Sequence, residues 1–151
     1  MTFSSGEVLT AANLNALQDV TILTDTSVTI ATGSGVVIPF PSEVIDVGGW
    51  HSTSTNTERI TVTNAGVYLI TANVVNIDAL GRLLLNVTKN GSTLIASQDL
   101  SHSGSVNDDS SVAVHDLAAA GDYYTMSVYH SHGSDRTADR ITFAASTIYV
   151  S

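Results

Sequence analysis

The stretch from Asn64 to Val75, which reads NAGVYLITANVV, constrains the fold of this chain more than any other. Asn64 and Gly66 are residue types that supply the positive φ of a tight reversal. Val67 to Val75 follow, and if they form a strand, almost all side chains on both of its faces are apolar. A strand that is apolar on both sides is covered on both sides. We therefore predict that this strand lies in a sheet packed against a second sheet, with another element or another subunit on its opposite face.

The rest of the chain is typical of a single all-β domain. Its 151 residues contain roughly eight or more short apolar stretches at a spacing of about ten residues, separated by turns rich in Gly, Asn, Asp and Ser. No helical pattern appears beyond the N-terminal segment. These features predict about 8–10 antiparallel strands arranged as a sandwich, a jelly roll or a barrel.

Composition excludes several classes of function. A net charge of −9 opposes nucleic-acid binding, which needs clustered Lys and Arg. The absence of cysteine excludes disulfides, thiol catalysis and cysteine-ligated zinc. No stretch approaches the roughly 18 apolar residues of a membrane span, and the start, MTFSSGEVLT, lacks the basic segment and apolar run of a signal peptide. We therefore expect neither nucleic-acid binding nor membrane insertion.

Four motifs resemble one known family when they are taken in order. They are the turn Ala65-Gly66-Val67-Tyr68 preceded by Ile60-Thr61-Val62, the hairpin Lys89-Asn90-Gly91, the turn Ala120-Gly121-Asp122-Tyr123, and the final apolar stretch from Phe143 to Tyr149. This order resembles the complement globular-head and tumour necrosis factor superfamily of trimeric jelly rolls. The resemblance implies a jelly-roll domain over residues 35–151, preceded by a separate segment over residues 1–34.

The resemblance also implies a homotrimer, in which one sheet packs around a threefold axis. For the axis we favour the row Tyr123, Thr125, Ser127 and Tyr129, with Leu84 nearby. These residues would make one face of two strands that carry large side chains on both faces. The alternative is a larger monomeric core with a covering loop.

The N-terminal segment differs from the rest of the chain. Thr10 is a reasonable N-cap for a helix of about two turns, which would be marginal without a partner surface. From Thr21 to Gly35 we expect a loop with one strand over Ser27 to Ala31. Phe3 to Asn15, written FSSGEVLTAANLN, is similar to a leader at the start of many tailed-phage fibre and minor tail proteins. The similarity implies a virion-attachment arm, with a mobile tail as the alternative; the candidate docking residues are Val8, Leu9, Leu14 and Leu17.

Two groups of side chains could hold a metal ion. His130 and His132 stand two apart, so three copies near an axis could surround one octahedral transition metal. The alternative, which we favour, is a pair of solvated loop histidines. Asn107, Asp108 and Asp109 offer oxygen ligands but lack the alternating spacing of common calcium loops, so a solvated acidic loop is favoured. We predict no metal and no cofactor.

The sequence offers little for catalysis. His115-Asp116 lies near many serines, but no Gly-x-Ser-x-Gly motif accompanies it. A glycoside-cleaving pair needs one buried carboxylic acid, whereas the glutamates, Glu7, Glu43 and Glu58, lie outside apolar stretches. We predict that the protein is not an enzyme.

Taken together, these observations predict a trimeric structural protein on the surface of a tailed-phage virion, assembled in the host cytoplasm. Its partners would be other virion proteins and a host surface glycan. We favour a tail fibre or tail tip over a capsid decoration or head fibre, and a secreted lectin-like trimer is the second alternative. Candidate receptor contacts are Trp50, His51, His130 and His132. Trp50 has the alternative role of an anchor between the sheets.

Overall fold

A computed structural model describes residues 19–78, 81–102 and 107–150. The helix expected after Thr10, and the candidate docking residues Val8, Leu9, Leu14 and Leu17, lie outside these residues. No helix in the described ranges has the length and apolar character needed to cross a membrane. The strands are β1 (Val20–Ile30), β2 (Val36–Val37), β3 (Glu43–Asp46), β4 (Ile60–Thr61), β5 (Gly66–Asp78), β6 (Gly81–Lys89), β7 (Thr93–His102), β8 (Asn107–Ala118), β9 (Tyr123–His130) and β10 (Arg136–Val150).

The strands form two antiparallel sheets. The first sheet has the order β3-β1-β10-β5-β8, and the second has the order β2-β9-β6-β7, with β4 also paired to β9. This arrangement confirms the predicted antiparallel jelly-roll sandwich. The edge strands β8 and β7 lie on the same side of the sandwich, since they contact each other across the two sheets.

Side-chain alternation explains how each strand faces the core. On β5, Tyr68, Ile70 and Val74 are buried, whereas Val67 and Leu69 on the opposite face are only half-buried. The second sheet therefore covers one face of β5, as predicted, and the other face is open to solvent in the single chain. β9 alternates in the same way except at Thr125, which is buried although it lies on the outer face.

Aromatic side chains fill the centre of the sandwich. The rings of Phe40 and Phe143 stack with centroids 6.2 Å apart. The rings of Trp50 and Tyr68 meet edge to face with centroids 5.3 Å apart. Trp50 is 2% exposed, so its side chain has the structural role of an anchor.

The sandwich begins earlier than the expected boundary at residue 35. β1 spans Val20–Ile30 and lies between β3 and β10, where the sequence indicated mostly loop. Leu23 and Ile30 are fully buried. The many threonines of this strand looked loop-like, but threonine is β-branched and fits a pleated, half-buried surface. Residues from Val20 onward therefore belong to the sheet and not to an arm.

Two predicted turns have different physical explanations. Asn90 and Gly91 have φ values of 53° and 73°, as a tight hairpin requires. Neither Asn64 nor Gly66 has a positive φ, so the expected reason for these residues was wrong. A Cβ on Gly66 would lie 2.1 Å from the Tyr149 carbonyl oxygen, so this glycine allows close approach of β10.

Candidate functional site

The outer face of the second sheet brings together the residues predicted for the trimer axis. Leu84 pairs with Tyr129 across β6 and β9, and Thr88 pairs with Thr125. The hydroxyl oxygens of Thr88 and Thr125 are 2.8 Å apart, and Thr125 is only 7% exposed. Tyr123, at the other end of β9, lies on the same face and is half-buried.

This face carries an arginine at each end of β9. The Arg82 guanidinium lies 5.8 Å from the Tyr129 ring centroid and donates through Nε and Nη2 to Asp99, at 2.9 and 2.7 Å. These hydrogen bonds hold the pKa of Asp99 below its usual value. The Arg59 guanidinium lies 4.1 Å from the Tyr123 ring centroid, and its Nε donates to Glu58 at 2.9 Å. The face is therefore charged at both ends.

The outer face of the first sheet has a different character. Tyr149, Val67 and Leu117 form one row across β10, β5 and β8, and Leu117 is 74% exposed. From Thr142 to Tyr149, the outward side chains of β10 are neither acidic nor basic. The same holds for the residues of β1, β5 and β8 that pair with them, since none of these is Asp, Glu, Lys or Arg. The outward positions are Val20, Ile22, Thr24, Val67, Leu69, Thr71, Asn73, Ser111, Ala113, His115, Leu117, Thr142, Ala144, Ser146 and Tyr149.

The loop after β3 builds a cup of about 320 Å³ at one end of the sandwich. The Trp50 indole Nε1 donates to the Thr63 hydroxyl at 3.3 Å. His51 has a fully buried side chain, with Nδ1 3.2 Å from Glu43 Oε2 and Nε2 3.1 Å from the Thr57 carbonyl oxygen. The ring nitrogens of Trp50 and His51 are thus used in hydrogen bonds within this part of the fold, although both residues also line the cup. The cup is lined by Gly49, Trp50, His51, Ser52, Thr55, Asn56, Arg59, Thr61 and Thr63.

The other two candidate histidines also have internal contacts. His130 is fully buried. Its Nε2 lies 2.9 Å from the Ile30 carbonyl oxygen, and Nε2 is the donor because a carbonyl oxygen can only accept a hydrogen bond. The His132 backbone N–H donates to His130 Nδ1 at 3.4 Å. Arg136 donates from Nη2 to His132 Nε2 at 2.5 Å, and Asp78 lies 3.7 Å from the same nitrogen. His130 is therefore not a solvated loop residue, because β9 continues through it and turns it toward the core.

The described ranges hold no group of three or more His, Cys, Asp or Glu side chains placed to bind one metal ion. In the candidate acidic run, Asp109 accepts a hydrogen bond from the Asn76 backbone N–H at 2.8 Å, and Asp108 is buried. The side chain of Asn107 lies outside the described residues. Asp109 thus serves the bulge between β5 and β8, where the register shifts.

A network around the chain's only lysine, which the sequence did not indicate, joins the two sheets. Lys89 Nζ lies 2.8 Å from Asp116 Oδ2 and 3.0 Å from Asp122 Oδ2. Tyr124 donates its hydroxyl to Asp116 at 2.7 Å, and burial followed by this carboxylate raises the pKa of Tyr124 well above its usual value. Asp116 is thus engaged in a structural network, and its neighbour His115 lies exposed on the outer face of the first sheet.

Strand order, antiparallel pairing and the two packed sheets define a jelly roll of the complement globular-head and tumour necrosis factor type. No protein-family model and no curated protein matches the sequence. Solved structures do match, and they confirm the fold implied by the turn motifs. The globular domain of zebrafish complement 1qA protein is similar at 15% identity, with a TM-score of 0.64 over 89% of this chain and 99% of that chain.

Two further solved structures are similar to this chain. The Eiger TNF from S. frugiperda has 14% identity and a TM-score of 0.62, over 89% of this chain and 94% of that chain. Murine APRIL at pH 5.0 has 13% identity and a TM-score of 0.62, over 87% of this chain and 99% of that chain. At these identities the matches show the fold alone.

Proposed function

We propose that this chain is a non-enzymatic, homotrimeric jelly roll that a tailed-phage virion carries on its surface for adhesion to the host. The observation that carries the oligomeric part is the part of the first sheet's outer face between Thr142 and Tyr149 of β10, which holds no Asp, Glu, Lys or Arg. Exposed apolar side chains grouped on one face, here among uncharged polar ones, mark a site of protein interaction. Three copies related by a threefold axis would form a closed ring and bury this face in three equivalent contacts between neighbouring copies.

The first sheet suits the trimer axis better than the row predicted from sequence. Burying Arg82 and Asp99, or Arg59 and Glu58, near an axis would remove charged groups from water at a large cost. Burying Val67, Leu69 and Leu117 carries no such cost and removes apolar area from water. We therefore assign the axis to the first sheet and leave Leu84, Tyr123, Thr125 and Tyr129 on the outside of the trimer.

The similarity of Phe3 to Asn15 to phage leaders supports the virion part of the proposal. A leader docked on the particle would place the three sandwiches outward, where several weak contacts add up to strong adhesion. We favour the tail over the head as the location. Cryo-electron microscopy of the particle tests this proposal. Threefold knobs at the tail tip are expected, knobs between capsid subunits would indicate decoration, and particles without this chain would contradict the virion role.

The attachment role of the N-terminal arm has its own test. Replacing Leu14 and Leu17 by Asp removes the apolar surface proposed to dock on the particle. We expect the variant to fold and form trimers but to be absent from purified particles, as measured by quantitative mass spectrometry of virions. Full occupancy of the variant in particles would refute the role of the arm.

A further inference from the structure

The cup beside Arg59 has a cationic group whose donors are largely unused. Arg59 Nε donates to Glu58, and within residues 19–78, 81–102 and 107–150 no acceptor pairs with either of its Nη atoms. A guanidinium has five N–H donors, so four remain for a ligand. The side chain is about one-third exposed, at 34%, while its plane lies against Tyr123, 4.1 Å from the ring centroid. The group is thus held in place and accessible, at the border between the cup and a second groove that Glu58 and Tyr123 line.

Arg82 shows within the same molecule what such a group binds. It too lies over a tyrosine of β9, but its fork is closed by the carboxylate of Asp99 at 2.9 and 2.7 Å. A planar guanidinium can donate two parallel hydrogen bonds to the two oxygens of a carboxylate. Arg59 lacks this second hydrogen bond, because the Glu58 carboxylate reaches only Nε. The end of its fork is therefore free to receive a carboxylate from outside the chain.

The loop that forms the cup is held in shape before any ligand arrives. Both oxygens of Asp46 accept backbone N–H groups, from Trp50 at 2.9 Å and from His51 at 3.1 Å. The Thr61 N–H donates to the Trp50 carbonyl oxygen at 2.7 Å, and the Arg59 N–H donates to the Asn56 carbonyl oxygen at 3.0 Å. A preorganised loop lowers the ordering cost of binding. The volume of about 320 Å³ lies at the lower end of small-molecule pockets.

From this geometry we infer that the cup binds a saccharide bearing a carboxylate, such as a uronic acid unit of a surface polysaccharide. Arg59 takes the carboxylate end-on. Ser52, Thr55 and Asn56, exposed residues of the lining, supply donors and acceptors for sugar hydroxyls. This inference rests on the proposed adhesive role and names its ligand class. The net charge of −9 excludes general attraction of an acidic polymer, so binding must come from a local site.

The test uses the full chain passed over immobilised oligoglucuronate, with the carboxyl-reduced form of the same oligosaccharide as the ligand control. The wild type is expected to bind the acidic form at least about tenfold more strongly than the reduced form. Arg59→Gln is expected to lose about tenfold or more in affinity, and Arg59→Lys, which keeps the charge without the fork, to lose nearly as much. Arg82→Gln is the matched control, expected to stay within about twofold because Asp99 already occupies that fork.

Several outcomes would overturn the inference. They are equal binding to both forms of the oligosaccharide, no binding by the wild type, and wild-type affinity in Arg59→Gln with an unchanged melting temperature. An aspartyl peptide that competes as well as free glucuronate would show a protein carboxylate as the ligand and remove the saccharide. If Arg59→Gln does not fold, Arg59→Lys decides. The proposed function fails separately, through a monomeric mass or particles that lack the chain.

Discussion

At the scale of single residues, polar side chains at one end of the sandwich hold the sheets together. Asp122 accepts hydrogen bonds from the Asn90 side chain at 2.9 Å and the Ala119 backbone N–H at 2.8 Å, and it pairs with Lys89. These contacts, in that order, lower the pKa of Asp122 to about 2. The unfolded chain has an aspartate pKa of about 3.9. The stabilisation is therefore complete above the unfolded value and is lost as the pH falls toward about 2.

We predict that Asp122→Asn lowers the free energy of unfolding at pH 7 by about 1–2 kcal/mol, because the Asn90 side chain, the Ala119 N–H and Lys89 lose a charged acceptor at a partly solvent-exposed site. As the pH falls from about 4 to about 2, the wild type also loses stability because Asp122 takes up a proton. The variant has no carboxyl group at this position, so its free energy of unfolding should fall less over the same range. Denaturant unfolding at a series of pH values measures both effects. Asp25→Asn on β1 is the charge-matched control. Identical acid dependence in Asp122→Asn and the wild type would contradict the prediction.

At the scale of elements, β1 shows how a strand can be hidden in the sequence. Its residues read VTILTDTSVTI, in which threonines interrupt the apolar pattern, and Ser27 has a φ of 55° that breaks the alternation. Pairing with β10 on one side and β3 on the other supplies the backbone hydrogen bonds of the strand. The environment of β1 thus comes from partners that are distant in the chain.

We predict that Leu23→Ala destabilises the protein by about 2–5 kcal/mol, because Leu23 is fully buried and its truncation leaves a cavity. Val44→Ala on the neighbouring β3 is the control. Its side chain is 63% exposed, and we expect a change within about 0.5 kcal/mol. Thermal unfolding followed by circular dichroism compares the two. A Leu23→Ala variant as stable as the wild type would mean that β1 is not part of the core.

At the scale of the whole molecule, the two outer faces differ in charge. The outer face of the second sheet carries an arginine–carboxylate ion pair at each end, Arg59–Glu58 and Arg82–Asp99. On the outer face of the first sheet, the strand positions that pair around Val67, Leu69 and Leu117 hold no charged side chain. This difference favours solvent on one face and other copies of the chain on the other. It also leaves the Arg59 cup outside the proposed axis.

We predict that Leu117→Asp converts the proposed trimer to monomers, because it would place three carboxylates in the proposed interface. Leu94→Asp is the matched control, since Leu94 is also an exposed leucine of an edge strand, at 57%, but belongs to the second sheet. Analytical ultracentrifugation should give three times the 15.7 kDa chain mass for the wild type and the control. A trimeric Leu117→Asp would exclude this face from the interface.

Local signals in the sequence were sufficient for the fold class. The Asn90-Gly91 hairpin, the Gly121-Asp122 turn and the alternation along β9 depend only on neighbouring residues, and a period of two decides which side chains share a face. The predicted row of Tyr123, Thr125 and Tyr129 therefore lies on one face. Local signals revealed only the end of β1, within the strand predicted over Ser27 to Ala31, because the burial of the rest comes from pairing with strands far away in the chain.

The sequence by itself determined an antiparallel sandwich and most of its turns, because turn chemistry and alternation are local. Only the tertiary structure decided which face of each strand is covered and which distant side chains meet. In the folded chain, His130 points inward and contacts the Ile30 carbonyl oxygen, and both ring nitrogens of His51 are hydrogen-bonded. The Arg59 guanidinium lies over the Tyr123 ring. The contacts of His130 and Arg59 join residues far apart in the chain, and those of His51 close a loop over six and eight residues. No sequence period encodes any of them.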